Sequence, residues 1–459
     1  MTATKTATGT TRRLFGTDGI RGEANRYPMT PEVALQLGKA VARHFRNGEQ
    51  PKIVVGKDTR LSGYLFENAI TAGLVAAGAK VFLVGPLPTP AVAHITRSFA
   101  ADAGIMLTAS HNPADHNGIK LFDSKGHKLA DEEETEIEAM ILASLERKGN
   151  DIREGDVIGK AKRIDDARGR YIEYAKATIR SMPLDGLKVV LDCANGAAYS
   201  TAPVIFDELG AEVIVLNDEP DGKNINDGCG ALHPEVIADK VRKEQADLGV
   251  ALDGDADRVI MVDEHGVEID GDHLLAIVAL DMQREGLLKQ DAVVGTQYTN
   301  KGFDEAMAKA GISVVRVENG DRYVLEKLYQ GGYTLGGEQS GHLILLDYGT
   351  TGDGTIAALH IMKVMKEQGK PLSELARCMT SWPQRTESIL VKKKTPLPEL
   401  KKVQCAIKEA KTALKDEGRV LVRYSGTEQK ARIMIEAKDK EHVEPFIKAI
   451  VDAFREEGL

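Results

Sequence analysis

The sequence predicts a multidomain α/β protein, with three mixed-sheet α/β units of similar size followed by a smaller α+β unit. Three observations carry that reading. A chain of 459 residues exceeds what one hydrophobic core usually organises. Short apolar runs alternate with helical patterns in a βαβ rhythm that restarts twice. After Pro383 the rhythm changes, and two strand patterns follow one another with no helix between them.

In the first unit, expected over 1–158, residues 15–22 read as a glycine-punctuated loop holding one cation, Arg21. Thr30-Pro31-Glu32 then opens a helix over 31–46, with a capping hydroxyl and a proline at the first helical position. Strand 52–56, helix 62–77, strand 80–84, helix 90–98 and strand 104–108 predict a mainly parallel sheet. Residues 131–148, acidic at the front and basic at the end, read as a helix matched to its dipole. The polar, glycine-rich stretch 149–159 marks a boundary.

The second unit, over 159–264, reads as helix 165–181, strand 187–192, helix 198–209, strand 211–216, helix 234–244 and strands 247–252 and 258–263. The third, over 265–378, reads as helix 271–285, strand 292–295, helix 300–310, strand 312–316, helix 320–330, strand 333–336 and helix 353–368. Their similar size suggests an internal structural repeat without residue-level identity. The fourth, over 379–459, reads as strand 385–391, helix 398–416, strands 419–423 and 431–437 and helix 441–456.

Sixty basic against sixty-nine acidic residues give a formal charge of -9, which offers no footprint for nucleic acid or an anionic membrane. The longest apolar candidate, near 69–87, is interrupted by Lys80 and is too poor to span a bilayer. Residues 1–11 lack the apolar core of a signal peptide and read as a flexible tail. Cys193, Cys229, Cys378 and Cys405 lack metal-ligand spacing and read as reduced packing residues of a cytoplasmic protein.

Four segments carry chemistry. The run 103–109 ends at Ser110-His111-Asn112-Pro113, which puts a hydroxyl beside an imidazole on a loop at a strand end, where α/β sheets bind ligands. Taken alone, a simple Ser/Asn turn is an equal alternative. Asp253-Gly254-Asp255-Ala256-Asp257-Arg258 sets three carboxylates on alternate residues between apolar runs, and a divalent cation such as magnesium relieves their repulsion, with a solvated acidic turn the alternative. The same letters mimic an EF-hand with Glu264 at the twelfth place, but Arg258 stands where glycine is needed and both flanks are strands.

Glu338, Ser340 and His342 project from a glycine-softened loop whose donors and acceptors suit sugar hydroxyls, although a turn with a structural histidine gives the same letters. Arg423, Ser425, Gly426, Thr427 and Arg432 supply guanidinium groups, hydroxyls and free backbone N–H groups, the ingredients of a phosphate nest. Gly352-Asp353-Gly354 fits a dinucleotide fingerprint only by letter and reads as a helix entry. P-loop, G-x-S-x-G and H-E-x-x-H patterns are absent from the sequence.

In order and spacing, Thr108-Ala109-Ser110-His111-Asn112-Pro113, Asp253-Gly254-Asp255-Ala256-Asp257-Arg258, Gly337-Glu338-Gln339-Ser340-Gly341-His342 and Arg423-Tyr424-Ser425-Gly426-Thr427-Glu428 resemble the α-D-phosphohexomutase family across nearly the whole chain. The resemblance implies four domains around a central cleft, each contributing one loop. It implies a phosphorylated Ser110, one Mg2+ held by Asp253, Asp255, Asp257 and that phosphate, and an activating 1,6-bisphosphate sugar. Arg21 and Lys120 then lie against the transferring group, while His111, Arg258, Glu338, Ser340 and His342 face the sugar. Arg423, Ser425, Gly426, Thr427 and Arg432 clamp the phosphate that is not reacting, and Lys120 or His342 moves the hydroxyl proton.

The implied reaction is an intramolecular phosphotransfer between the 6- and 1-positions of a hexose or hexosamine phosphate. Residues 15–22, 85–93, Asn319-Gly320-Asp321-Arg322 and Gln339 resemble the members that act on glucosamine phosphate, with mannose and glucose phosphates the alternative. Rivals outside the family are a magnesium-dependent phosphatase using Asp253 and a non-catalytic sugar-phosphate sensor. The sequence admits a homodimer. Gln429 stands where the family pattern has proline and Tyr424 where it has Lys or Pro, which predicts a less rigid last loop.

Overall fold

The computed structural model describes residues 4–5, 11–12, 14–16, 18–146, 158–425 and 429–458. Most of the tail expected over 1–11, the basic end of the helix expected over 131–148 and most of the boundary stretch 149–159 lie outside the described residues. Within that tail, Thr4–Lys5 pairs antiparallel with Thr11–Arg12.

Three sheets share one topology. In each, a central strand is flanked on one side by a parallel partner and on the other by a second parallel strand, which turns back as an antiparallel neighbour. In the first unit these are Lys52–Lys57, Lys80–Pro86, Ala103–Leu107 and the returning His116–Asp123. In the second they are Lys188–Asp192, Glu212–Leu216, Leu248–Leu252 and Val259–Asp263. In the third they are Ala292–Thr296, Ser313–Val317, Leu335–Gly337 and Leu343–Leu345. The repeat expected from unit size is thus a repeat of strand order and direction.

That order places the chemistry-bearing loops. Ser110, the aspartate triplet and the 338–342 segment each sit on the hairpin joining the last parallel strand to its antiparallel return. The fourth unit repeats the device, since the loop after Gly418–Tyr424 returns as Lys430–Ala437 in a three-stranded antiparallel sheet. The helices Lys401–Leu414 and Val443–Glu456 cover that sheet, giving the α+β unit its own apolar core.

Several expectations are corrected. Residues 15–22 are not simply a loop: Phe15–Gly16 is the edge strand of the first sheet and Gly19–Glu23 lies between it and His116–Asp123, all antiparallel, so this sheet is mixed as the fold class predicts and its strands are less uniformly parallel than the run 52–108 suggests. Lys160–Arg163 pairs with Lys80–Pro86, so that sheet extends past residue 158. The helix expected over 198–209 covers only Ala202–Glu208. Cys193 and Cys229 are buried, but Cys405 is exposed and is not a packing residue.

One apolar cluster runs from Val54 through Leu191, Leu252 and Leu335 to Met379, so the first three units share a core. The helix Gly354–Gln368 is central to it: Asp353 caps it by accepting from Ile356 N–H, and Tyr171 of the second unit donates to the same carboxylate. Among the described residues, no helix is long and apolar enough to cross a membrane. The linker between the third and fourth units is held by Asn300, whose side chain bonds both N–H and C=O of Trp382.

Candidate active site

Ser110 lies buried just past the carboxyl end of Ala103–Leu107, with a left-handed φ of 52° that a serine seldom adopts. Its N–H donates to Thr108 Oγ1 at 2.9 Å, and its hydroxyl donates to Asp253 Oδ2 at 2.7 Å. His111 Nδ1 stands 3.3 Å from the same hydroxyl. Burial, with Arg258 and Arg21 nearby, pushes the His111 imidazole down to about 4, so it is neutral at pH 7.

Asp253, Asp255 and Asp257 are all buried on the hairpin after Leu248–Leu252, and one oxygen from each falls within 4.8 Å of the others. Burial, then Asp257 and Asp255, raise Asp253 well above the carboxylate range. Burial also pushes Asp255 up, but Lys120 and the Thr89 hydroxyl outweigh it and hold that carboxyl at about 2. Asp255 Oδ1 and Asp257 Oδ1 are buried without hydrogen-bond partners among the described residues. Three converging carboxylates with unpartnered oxygens fit a hard divalent cation.

Lys120 comes from the returning strand His116–Asp123 and contacts Asp255 at 3.0 Å, Asp257 at 3.3 Å and Asp18 at 3.4 Å. Burial works against its charge, but these three carboxylates raise it well above an ordinary lysine. Arg21, at the middle of Gly19–Glu23, pairs with Asp18, which Lys128 also binds at 2.8 Å. Asp18 is therefore the carboxylate that gathers Arg21, Lys120 and Lys128 on one side of the aspartate cluster.

Lys120, Asp18, Asp321 and His342 line a cavity of about 270 Å³ between the first and third units. Glu338 is buried, is raised by that burial and accepts from Gly320 N–H at 3.0 Å. His342 Nε2 accepts from Gly352 N–H at 3.2 Å, which leaves the neutral ring's proton on Nδ1, and Nδ1 has no partner among the described residues. Ser340 is exposed, whereas Gln339 donates to Asp270 at 3.1 Å. Arg258 N–H donates to Asp253 Oδ1 at 3.2 Å and its Nε lies 3.9 Å from Asp257.

In the fourth unit Arg423 and Arg432 face each other across adjacent strands. Like charges directly opposite are unfavourable unless an anion sits between them. Arg423 Nε also donates to Tyr298 OH at 3.0 Å, linking this loop to the third unit, and Lys394 donates to the Ser425 carbonyl at 2.7 Å. Tyr424 points to the opposite face, edge-on to Phe454 in the core. Gly426 and Thr427 lie outside the described residues.

The chain matches models for phosphoglucomutase/phosphomannomutase alpha/beta/alpha domain I over residues 12–148, domain II over 169–266, domain III over 270–382 and the C-terminal domain over 387–453. It belongs to the phosphoglucomutase/phosphomannomutase family. A phosphoglucosamine mutase of Geotalea daltonii is 52% identical over 443 residues, 96% of this chain and 97% of its own. One from an Anaeromyxobacter species is 52% identical over 448 residues, 97% of this chain and 96% of its own. A crystal structure of a phosphoglucomutase/phosphomannomutase family protein from Burkholderia thailandensis superposes with a TM-score of 0.79 at 24% identity, covering 96% and 97% of the two chains.

For this member of the phosphoglucomutase/phosphomannomutase family, the structure brings Ser110, Lys120, Asp253, Asp255 and Asp257 into one buried cluster, with the partly exposed Arg21 and Arg258 against it and Glu338 and His342 at its edge. Asp18 escaped sequence reasoning. Its signal was present, because a carboxylate three residues before Arg21 in a glycine-rich strand pair has few ways to avoid that guanidinium.

Proposed function

We propose that this enzyme is a phosphoglucosamine mutase, interconverting glucosamine 6-phosphate and glucosamine 1-phosphate through a phosphorylated Ser110 and a 1,6-bisphosphate. The observation that carries the chemistry is the Ser110 hydroxyl bonded to Asp253 inside a three-carboxylate, cation-rimmed cluster. The observation that favours the amino sugar is the 52% identity, over nearly the full length, to relatives named for that activity.

The phosphoryl on Ser110 passes to the 1-hydroxyl of glucosamine 6-phosphate: the Ser110 Oγ–P bond breaks, a sugar O–P bond forms and the hydroxyl proton ends on Ser110 Oγ. The bisphosphate turns over in the cleft, and its 6-phosphoryl returns to Ser110. Asp253, Asp255 and Asp257 would hold Mg2+, which when bound would supply charge neutralisation and polarise the phosphoryl oxygens. Lys120 and Arg21 add fixed positive charge where the transferring oxygens lie, which suits a reaction limited by positioning and charge.

Glu338 accepts from sugar hydroxyls, and His342 Nδ1–H and Ser340 donate to them. Arg423, Ser425, Gly426, Thr427 and Arg432 hold the phosphate that is not reacting, while His111 and Arg258 line the Ser110 side. Glucosamine, mannose and glucose 6-phosphates, each with Mg2+ and a trace of its 1,6-bisphosphate, test the reading by phosphorus NMR of the 1-phosphates. Preference for glucosamine supports it. Equal turnover of all three makes this a broad hexomutase, and turnover of none overturns the mutase reading.

A further inference from the structure

Ser110 keeps its left-handed backbone because something grips the peptide that follows it. Two side chains do so from opposite sides of the boundary between the first and second units. Arg60 lies in the turn between Lys52–Lys57 and Leu61–Ala76, is completely buried and pairs through Nε with Asp58 at 2.8 Å. Its Nη2 donates to the Ser110 carbonyl at 2.9 Å and the Asn112 carbonyl at 2.7 Å, while Nη1 donates to the carbonyls of Pro113 and His116. From the second unit, Asn226 Nδ2 donates to the same two oxygens, Ser110 at 2.9 Å and Asn112 at 3.1 Å.

Gly254, inside the aspartate triplet, packs against this junction so tightly that a Cβ there would come within 2.7 Å of both the Ser110 carbonyl and Asn226 Nδ2. The turn holding Arg60 is itself tied to the second unit, since Thr59 Oγ1 donates to the Asn195 carbonyl at 2.6 Å and Leu61 N–H to the Gly222 carbonyl at 2.9 Å. A backbone carbonyl accepts two hydrogen bonds, and the Ser110 carbonyl takes one from each unit. Its orientation is therefore fixed only when both units are in register.

We propose that Arg60 and Asn226 are positioning residues for phosphoryl transfer, gripping the Ser110 and Asn112 carbonyls from two domains so that Ser110 Oγ is held in line with the aspartate cluster. Neither side chain touches the transferring group. A planar guanidinium is suited to this task, because its fork reaches several carbonyls at once while an ammonium is a single point charge. The inference rests on Ser110 being the phosphoryl carrier.

The test uses the full-length chain with Asn226→Ala and the isosteric Asn226→Asp, whose side chain is only half-buried, and Arg60→Lys as a third variant. Loosening the grip lowers kcat by about tenfold to a hundredfold and leaves KM for the sugar phosphate within about twofold, because misplacement by an ångström penalises the reacting geometry. Asn226→Asp falls below Asn226→Ala, since it turns an acceptor toward two carbonyl oxygens. Backbone hydrogen exchange of a peptide spanning 108–116 rises in the same order. Unchanged kcat and unchanged exchange in the Asn226 variants overturn the proposal, as does a rise in KM alone. If the wild type turns over no hexose phosphate, the functional reading fails while the exchange measurement still decides the grip.

Discussion

The Ser110 hydroxyl donates to Asp253 Oδ2 at 2.7 Å across 143 positions of sequence, joining the hairpin loop of the first unit to that of the second. Asp253 is the carboxylate that suffers most from the cluster, because burial and its two aspartate neighbours all raise it. Asp253→Asn should therefore melt higher than the wild type in EDTA, while turnover falls at least about a hundredfold, the usual exchange of stability for activity at such sites. A variant that loses both stability and turnover would contradict this balance of charges.

Asp255 and Asp257 each leave one buried oxygen without a partner among the described residues. Mg2+ should raise the melting temperature of the wild type, since a ligand at a hundred times its Kd adds about 2.7 kcal/mol to the folded state. Asp255→Asn removes a carboxylate from the cluster and should lose most of that shift. Calcium and magnesium titrations followed by differential scanning calorimetry read the effect directly. An equal shift in the variant would place the cation elsewhere.

Arg423 and Arg432 lie opposite each other on neighbouring strands, an arrangement that a phosphate stabilises. A charge-assisted hydrogen bond contributes about 1.5–3 kcal/mol, so Arg432→Ala should raise KM for the sugar phosphate roughly tenfold to a hundredfold. The effect should shrink as salt rises. Unaltered KM with a depressed kcat would assign this arginine a different role.

Asp272 opens the helix Gly271–Arg284, fully buried, accepting from Asn300 N–H at 2.8 Å. Burial, with Asp270 beside it, pushes its carboxyl up to about 8. The folded state thus binds this proton more tightly than the unfolded chain, and the group lowers stability as pH rises from about 4 toward about 8. Asp272→Asn should gain on the wild type over that window by at most about 1.4 kcal/mol per pH unit. Melting curves at pH 5, 6.5 and 8 check it, and a constant difference between the two proteins would show that the shift is absent.

The loops that carry chemistry were legible because their letters are dense: alternate aspartates, a serine before Asn112-Pro113, paired arginines beside a glycine. The strands that position them were less so. His116–Asp123 hides its apolar positions among Asn117, Lys120 and Asp123, and Leu343–Leu345 is too short for a period to register. Without those return strands the common topology of the three sheets could be suspected from unit size but not drawn. Gly19–Glu23 has two glycines in five residues, which reads as a turn until its pairing with His116–Asp123 is known.

Arg60 and Asn226 were missed for another reason. Each acts on residues far along the chain, Arg60 at a separation of 50 positions from Ser110 and Asn226 at 116. No local pattern reports such contacts. A buried arginine beside Asp58 at the end of a strand was the one available sign.

The central claim is that Ser110 carries the phosphoryl group between the two positions of the sugar. Glucosamine 1,6-bisphosphate bearing radiolabelled phosphate, incubated with wild type and with Ser110→Ala in Mg2+, tests it most directly, followed by peptide mapping. One label per wild-type chain is expected, on the peptide containing Ser110, released on addition of glucosamine 6-phosphate, and none on the variant. Label on an aspartate of the 253–257 loop, or a Ser110→Ala enzyme that still interconverts the two phosphates, would contradict it.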